Sequence, residues 1–503
     1  MDWDRQPVLI GVGQECWRDR DSARTPVDAL QAVLTRAASD TGSEKVLAAI
    51  DTMVHVPFIM NQIAEMAPAM PRNPGAAVAE RLGIDAVQYT ADVGGNLPQQ
   101  LLNEFAARLV SGEAGVVALS GVELLASFLG AVRAGQGFPD WASGREDDAR
   151  MLGSTPSMTA PTEQLHGLYE PINTYPIFES ALAHADGLDV AAHRSRLGKL
   201  VSAMSAVAAN NPLAWKQQAI SPEDALSTEN GNRMVTYPYT KVMNAILAVD
   251  QAAAVIITTV GRARELGVDS ERWIYLRGAA SAHDPWYVGE RESLCDSPAL
   301  TAAARASLAQ SGLGLDALTH FDLYSCFPSA VQVACRALGL SLDDPRGVTV
   351  TGGLTLFGGP GNNYSLHAIA EMVARLRETP DGAGLVSANG GYLTKHSVGI
   401  YARGRGATPW LPGDDGALQR TVDDRIYPVL TAEGRGRLRI EGHAVQFDGG
   451  EPSRAIIVGL LDSGERCVAN SQNPDVIERM TQQNCVEQFG TVSHAEGINT
   501  FSF

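Results

Sequence analysis

Six consecutive apolar residues, Ala252-Ala253-Ala254-Val255-Ile256-Ile257, restrict this chain more than any other feature. The run has no polar face, so it reads as a strand buried on both sides, the kind found in sheets covered by helices. Short apolar strands at 7–12, 50–56 and 115–120 alternate with helix-like stretches at 25–41, 73–82 and 98–111. That alternation predicts an α/β layer around a mostly parallel sheet. From about 128 to 235 the texture changes to charged, Gly- and Pro-rich stretches broken by helices such as 189–209. This reads as an insertion that caps the sheet. Strand-like and helix-like segments then recur at 273–279, 297–308, 321–327, 329–338, 365–377, 384–389 and 397–403. The repeat is one of element order, not of residue identity. Beyond 404–409, β-like stretches at 436–447 and 454–461, a short helix at 473–483 and an extended end at 490–503 predict a small barrel of OB type.

Charge narrows the partners. There are 57 acidic against 39 basic residues, a net charge of −18, and no basic cluster offsets it. Nucleic acid and anionic membrane surfaces are therefore disfavoured. No apolar run approaches the ~18 residues of a spanning helix, and the acidic start Met1-Asp2-Trp3-Asp4-Arg5 lacks the layout of a signal peptide. A cytoplasmic location is expected. The cysteines at 16, 295, 326, 335, 467 and 485 are scattered without a CxxC pair, which argues against disulfides and structural metal.

Five segments, in order across about residues 5–405, carry a resemblance. They are Ala91-Asp92-Val93-Gly94-Gly95-Asn96; Ala248-Val249-Asp250-Gln251-Ala252-Ala253-Ala254-Val255; Tyr324-Ser325-Cys326-Phe327; Gly352-Gly353 with Gly358-Gly359-Pro360; and Ala388-Asn389-Gly390-Gly391. Together the chain resembles the thiolase superfamily, in particular its sterol-carrier-protein-type thiolases and bacterial thiolase-like proteins. The resemblance implies a duplicated, layered α-β-α-β-α core made of residues 1–270 and 271–408. It also implies a loop-domain insertion at about 125–240, and the tail 409–503 resembles an OB-type partner domain. It further implies a coenzyme A thioester as substrate or ligand, acetyl-CoA acetyltransferase-like chemistry within lipid metabolism, and a homodimer formed through the sheet.

The chemistry expected of such a site is incomplete. A thiolase uses a cysteine nucleophile, a histidine base and a second cysteine as acid/base. Here the nucleophile position falls at about Val93, no cysteine lies between Cys16 and Cys295, Gly359 stands where the histidine is expected, and Ala388 or Asn389 replaces the second cysteine. What remains polar is Tyr324, Ser325, Cys326, Tyr364 and His396 as candidate catalytic groups. Gly358, Gly359, Asn362, Asn389 and Gly390 are candidates for holding the thioester, since glycines let backbone approach a ligand. Each has a plainer reading: Tyr324 as a packed aromatic, Cys326 as a small buried hydrophobe, the Asn362-Asn363 pair as a turn, Lys395 as a solvated cation and His367 as a core histidine. Two functions remain open. One is carbon–carbon bond chemistry on an acyl-CoA without an acyl-cysteine, such as retro-aldol cleavage. The other is a non-catalytic acyl-CoA carrier or scaffold. The tail could also recruit a protein partner.

Overall fold

The computed structural model describes residues 2–142 and 148–503. A ten-stranded sheet runs in the order His320–Asp322, Ala383–Gly390, Lys395–Ala402, Ile274–His283, Pro7–Cys16, Asp250–Thr259, Val116–Leu124, Thr52–Val56, Val87–Ala91, Arg150–Leu152. The first four belong to the second half of the chain and the last six to the first. Within the sheet, the pairs Val8–Tyr275 and Leu9–Ile274 join the halves.

The 252–257 run is a strand, and both its faces are covered. Ala252, Ala254 and Ile256 pack with Val8, Ile10, Leu30 and Val33 on the outer side. Ala253, Val255 and Ile257 pack with Leu101, Leu102, Phe105 and Leu366 on the inner side. The outer helix Pro26–Asp40 starts at a capping box in which Thr25 and Asp28 satisfy each other's backbone N–H groups, with Pro26 at its first turn. The inner helices Leu97–Ser111 and Tyr364–Glu378 touch each other and strands of both halves, and Pro298–Ser311 covers the second half. The layering is therefore α-β-α-β-α.

Two expectations change. The sheet is mixed rather than mostly parallel: Asp250–Thr259 runs antiparallel to both neighbours, because the chain re-enters the sheet from the far end after its long insertion. The strand expected at 321–327 stops at Asp322, since beyond it the backbone and side chains bond to loops: Ala245 N–H donates to Cys326 O and Leu354 N–H to Ser325 Oγ.

The insertion contributes to two sheets. Arg150–Leu152 pairs alongside Val87–Ala91 at the edge of the main sheet, and Met234–Tyr237 pairs with Gly436–Asp448 of the tail. In the tail, Gly436–Asp448, Glu451–Leu461, Arg466–Ser471, Ile498–Ser502 and Phe489–Ala495 close into a five-stranded barrel, with helix Pro474–Gln482 between its third and fourth strands in chain order. Leu438, Ile440, Ile457 and Met480 form its core. All six cysteines are unpaired. Among the described residues no helix is long and apolar enough to cross a membrane, and no group of three or more His, Cys, Asp or Glu side chains could hold a metal ion.

Candidate functional site

The strand Val87–Ala91 ends in a turn, Asp92 to Asn96, that feeds helix Leu97–Ser111. Gly94 takes a φ of +144°, which only glycine adopts without strain. Gly95 is packed so closely that a methyl group there would lie 2.0 Å from the Tyr324 hydroxyl and 2.7 Å from the Asn389 carbonyl. Asn362 braces the turn: its Oδ1 accepts Gly94 N–H at 3.0 Å, and its Nδ2 donates to Pro57 O at 3.0 Å. Gly390 faces Asn96, and Ser365 Oγ donates to Gly95 O at 2.7 Å. Thus Tyr324, Asn362 and the adjacent Asn389 and Gly390, drawn from three distant segments, meet at this elbow.

The other candidates are placed elsewhere. Tyr364 lies edge-on to Tyr324, but its hydroxyl donates to Asp322 at 3.0 Å and meets Thr351 Oγ1 at 2.6 Å. Burial pushes the Asp322 carboxyl up to about 6 despite those bonds, and pushes both tyrosines well above the ordinary phenol range. Ser325 Oγ is taken by Leu354 N–H. The Cys326 thiol is pushed by burial up to about 12, so it is not a thiolate at neutral pH. Gly359 N–H donates to Ile246 O, and Gly358 presses on the Gln251 amide. His396 is turned to the outer face of its strand, where Nε2 lies 3.1 Å from Leu393 O and 3.4 Å from Asp284. Asp284 in turn caps the start of helix Pro298–Ser311 through Ser297 Oγ and Ala299 N–H. His367 is a core side chain on Gln14, pushed by burial down to about 3.

Side chains alternate along a strand, so the residue that does reach the elbow is the neighbour of His396. Lys395 Nζ donates to Val93 O and to Thr155 Oγ1, the latter at 3.0 Å. Asp92, which accepts Thr155 N–H, lies close by. Burial lowers the Lys395 ammonium from 10.5 to about 8, with the Asp92 charge opposing. The folded chain therefore releases this proton near pH 8 and the unfolded chain only near 10.5, so stability rises with pH across that window. A rise of about 3 kcal/mol is expected in denaturant titrations of the wild type and not in Lys395→Met. Parallel pH profiles for the two proteins would remove Lys395 from this role.

A second polar set supports the site from behind. Tyr175 OH donates to Gly391 O at 2.9 Å and accepts from Asn389 Nδ2 at 2.9 Å, while its ring stacks on Phe327 at 4.3 Å. Segments 213–216 of the insertion and 245–247 just after it are strapped to 354–359: Trp215 and Lys216 N–H donate to Phe357 O and Leu356 O, and Ile246 N–H to Leu354 O. Lys216 and Lys241 sit here, two of only five lysines in the chain. Burial and the Lys241 charge lower the Lys216 ammonium, and neither lysine forms an ion pair among the described residues.

Three comparisons place this geometry. Residues 417–496 match a family model described as the additional C-terminal domain of thiolase-like protein type 1. No curated protein matches the sequence. Among solved structures, the Ltp2-ChsH2(DUF35) aldolase is 20% identical with a TM-score of 0.59, covering 80% of this chain and 99% of its own. The acetyl-CoA acetyltransferase of Syntrophomonas wolfei is 16% identical with a TM-score of 0.54, covering 79% of this chain and 99% of its own. These two share the fold. A monomeric SCP2-thiolase-like protein type 1 from Mycobacterium smegmatis is 32% identical with a TM-score of 0.85, and each chain is covered in full. With that identity along its whole length, and with the matching tail domain, the chain belongs to the SCP2-thiolase-like proteins of type 1.

Proposed function

We propose that the protein binds acyl-CoA thioesters in the cytoplasm without transferring the acyl group. One observation carries this reading: the elbow that would present a nucleophile presents Val93, whose carbonyl is held by Lys395. Acyl transfer needs a group that attacks and a base that takes its proton. Tyr324 and Cys326 are held in their protonated forms by burial, Tyr364 is committed to Asp322, and His396 faces away. Lys216 and Lys241, close to each other and without ion pairs among the described residues, suit the phosphates of coenzyme A, since such cations attract anionic ligands to an otherwise acidic surface.

Calorimetric titration with coenzyme A, acetyl-CoA and a β-hydroxyacyl-CoA tests this. Binding of the thioesters is expected, with affinity falling about tenfold, or about 1.4 kcal/mol, in the Lys216→Ala/Lys241→Ala double variant. No acyl transfer or cleavage is expected on mixing. Absence of binding would overturn the ligand, and turnover would overturn the non-catalytic role. A second reading, retro-aldol cleavage of the β-hydroxyacyl thioester, is favoured by the Lys395 amine, whose pKa of about 8 makes it partly neutral beside the elbow. Cleavage lost in Lys395→Met would establish it.

A further inference from the structure

Two buried oxygens without partners stand on opposed residues near the ends of two central strands. Glu123 and Gln251 are paired across the antiparallel strands Val116–Leu124 and Asp250–Thr259. Both lie on the inner face, in step with Val117 and Leu119 on one strand and Ala253 and Val255 on the other. Opposed residues of such a pair bring their Cβ atoms to about 5 Å. Glu123 is 1% exposed and Gln251 is fully buried, yet Glu123 Oε1 and Gln251 Oε1 have no hydrogen-bond partner among the described residues.

The remaining atoms of the pair are bonded, and their bonds fix what is left. Gln251 Nε2 donates to Phe357 O at 2.9 Å and to Leu213 O at 3.1 Å. Carbonyls only accept, so this end of the amide is the NH₂ and the other end is the oxygen. Glu123 Oε2 accepts Ile59 N–H at 3.0 Å. Two acceptors side by side in an apolar surrounding are each costly to leave unpaired. A proton on Glu123 Oε1 satisfies both at once. Burial pushes the Glu123 carboxyl up to about 8, with the Ile59 bond opposing and the Asp250 charge adding. Asp250 is bonded to Ser127 and feels the Arg24 charge. Cys16, opposite Gln251 on strand Pro7–Cys16, is a neutral thiol pushed by burial up to about 11, with the Arg18 charge opposing. His367 on the inner helix is neutral, and the turns at 57–61 and 358–363 bring no titratable side chain.

We infer that Glu123 is a protonated acid whose O–H donates to Gln251 Oε1, and that this clasp positions the elbow and the 213–216 strap together. One arm runs through Ile59: the same turn offers Pro57 O to Asn362, which holds Gly94 N–H of the elbow. The other arm runs through the Gln251 amide, which holds Leu213 O and Phe357 O, and Phe357 O also accepts Trp215 N–H. Loss of the proton reverses the second arm. A carboxylate only accepts, so it recruits the Gln251 NH₂, and the amide leaves Phe357 O and Leu213 O. The strap, which carries Lys216, is then held more loosely, while the Ile59 arm stays bonded. Glu123 is thus a positioning residue that acts through Gln251.

Infrared spectroscopy and amide hydrogen exchange of the full chain test this. With glutamate carboxyls labelled by carbon-13, wild type at neutral pH should show a protonated-carboxyl band that Glu123→Gln lacks and that fades through about pH 8. At about pH 9 the Trp215 and Lys216 amides should exchange about tenfold faster in wild type than in Glu123→Gln, whose carboxamide donates to Gln251 Oε1 at every pH. At neutral pH the two proteins should agree. Gln251→Met, which removes the clasp at any pH, should exchange these amides about tenfold faster already at neutral pH, and it carries the test if Glu123→Gln does not fold. The inference is overturned by absence of the band, by strap exchange that runs parallel in wild type and Glu123→Gln, or by a crystal structure with a water between Glu123 Oε1 and Gln251 Oε1. None of these outcomes depends on coenzyme A.

Discussion

Replacing Glu179 by alanine is expected to lower the free energy of unfolding by about 4 kcal/mol, the order expected when one buried acceptor is taken from several donors at once. Glu179 is fully buried in helix Pro171–Ala185, and its two oxygens receive His193, Tyr239 and Gln332. Alanine would leave those donors in an apolar surrounding with no acceptor and a cavity beside them. The Tyr239 hydroxyl also accepts Ser329 N–H at the start of helix Pro328–Leu338, so the loss would spread from the insertion into the second half of the core. Glu179→Gln keeps the volume but sets an NH₂ against the Gln332 amide, so it should recover only part of the loss. A urea titration placing Glu179→Ala within about 1 kcal/mol of wild type would show that water fills the gap at little cost.

Gly95→Ala is expected to cost about 3 kcal/mol, at the upper end for overpacking a filled core. The added methyl would sit 2.0 Å from the Tyr324 oxygen and 2.7 Å from the Asn389 carbonyl, the second of which is strand backbone and cannot swing aside. Removing the ring should relieve only the first clash. In a Tyr324→Ala background the same substitution should cost about half as much, a coupling that a double-mutant cycle reads directly. Additive costs would mean that Tyr324 and Gly95 do not touch.

The architecture was largely readable from the sequence because its central strands carry long apolar runs. Strand Asp250–Thr259 has no polar face to place in water, so burial on both sides was the only outcome. That same property hid part of the site. Lys395–Ala402 is buried along its whole length, so no alternation of polar and apolar residues shows which side chains face the central helices. His396 and Lys395 are one residue apart, and one residue is the difference between the outer helix layer and the elbow. Lys395 reads as a solvated cation in the sequence, yet it is 8% exposed and bonded to Val93 and Thr155. Glu179 had a usable signal: a lone acid four residues after Tyr175, between Phe178 and Leu182, all on a helix with hardly a polar neighbour.

The insertion works as a buckle. With one short strand it finishes the edge of the main sheet, and with another it extends the barrel's sheet. Helix Pro171–Ala185 adds the tooth: Ile177 presses on Gly442, and Ser180 accepts the His443 N–H and, through its carbonyl, the Asn484 amide. From the core's second half, Gly289 and Arg291 offer carbonyls to the buried Arg466 guanidinium of the barrel. Cutting the linker near residue 409 would thus not release a ready-made module. It would strip one body of a strand partner and a helix of its cover, and leave a guanidinium without the carbonyls that replaced its water. Tail and core are two rooms sharing one wall, and neither can be moved to another chain without taking the wall with it.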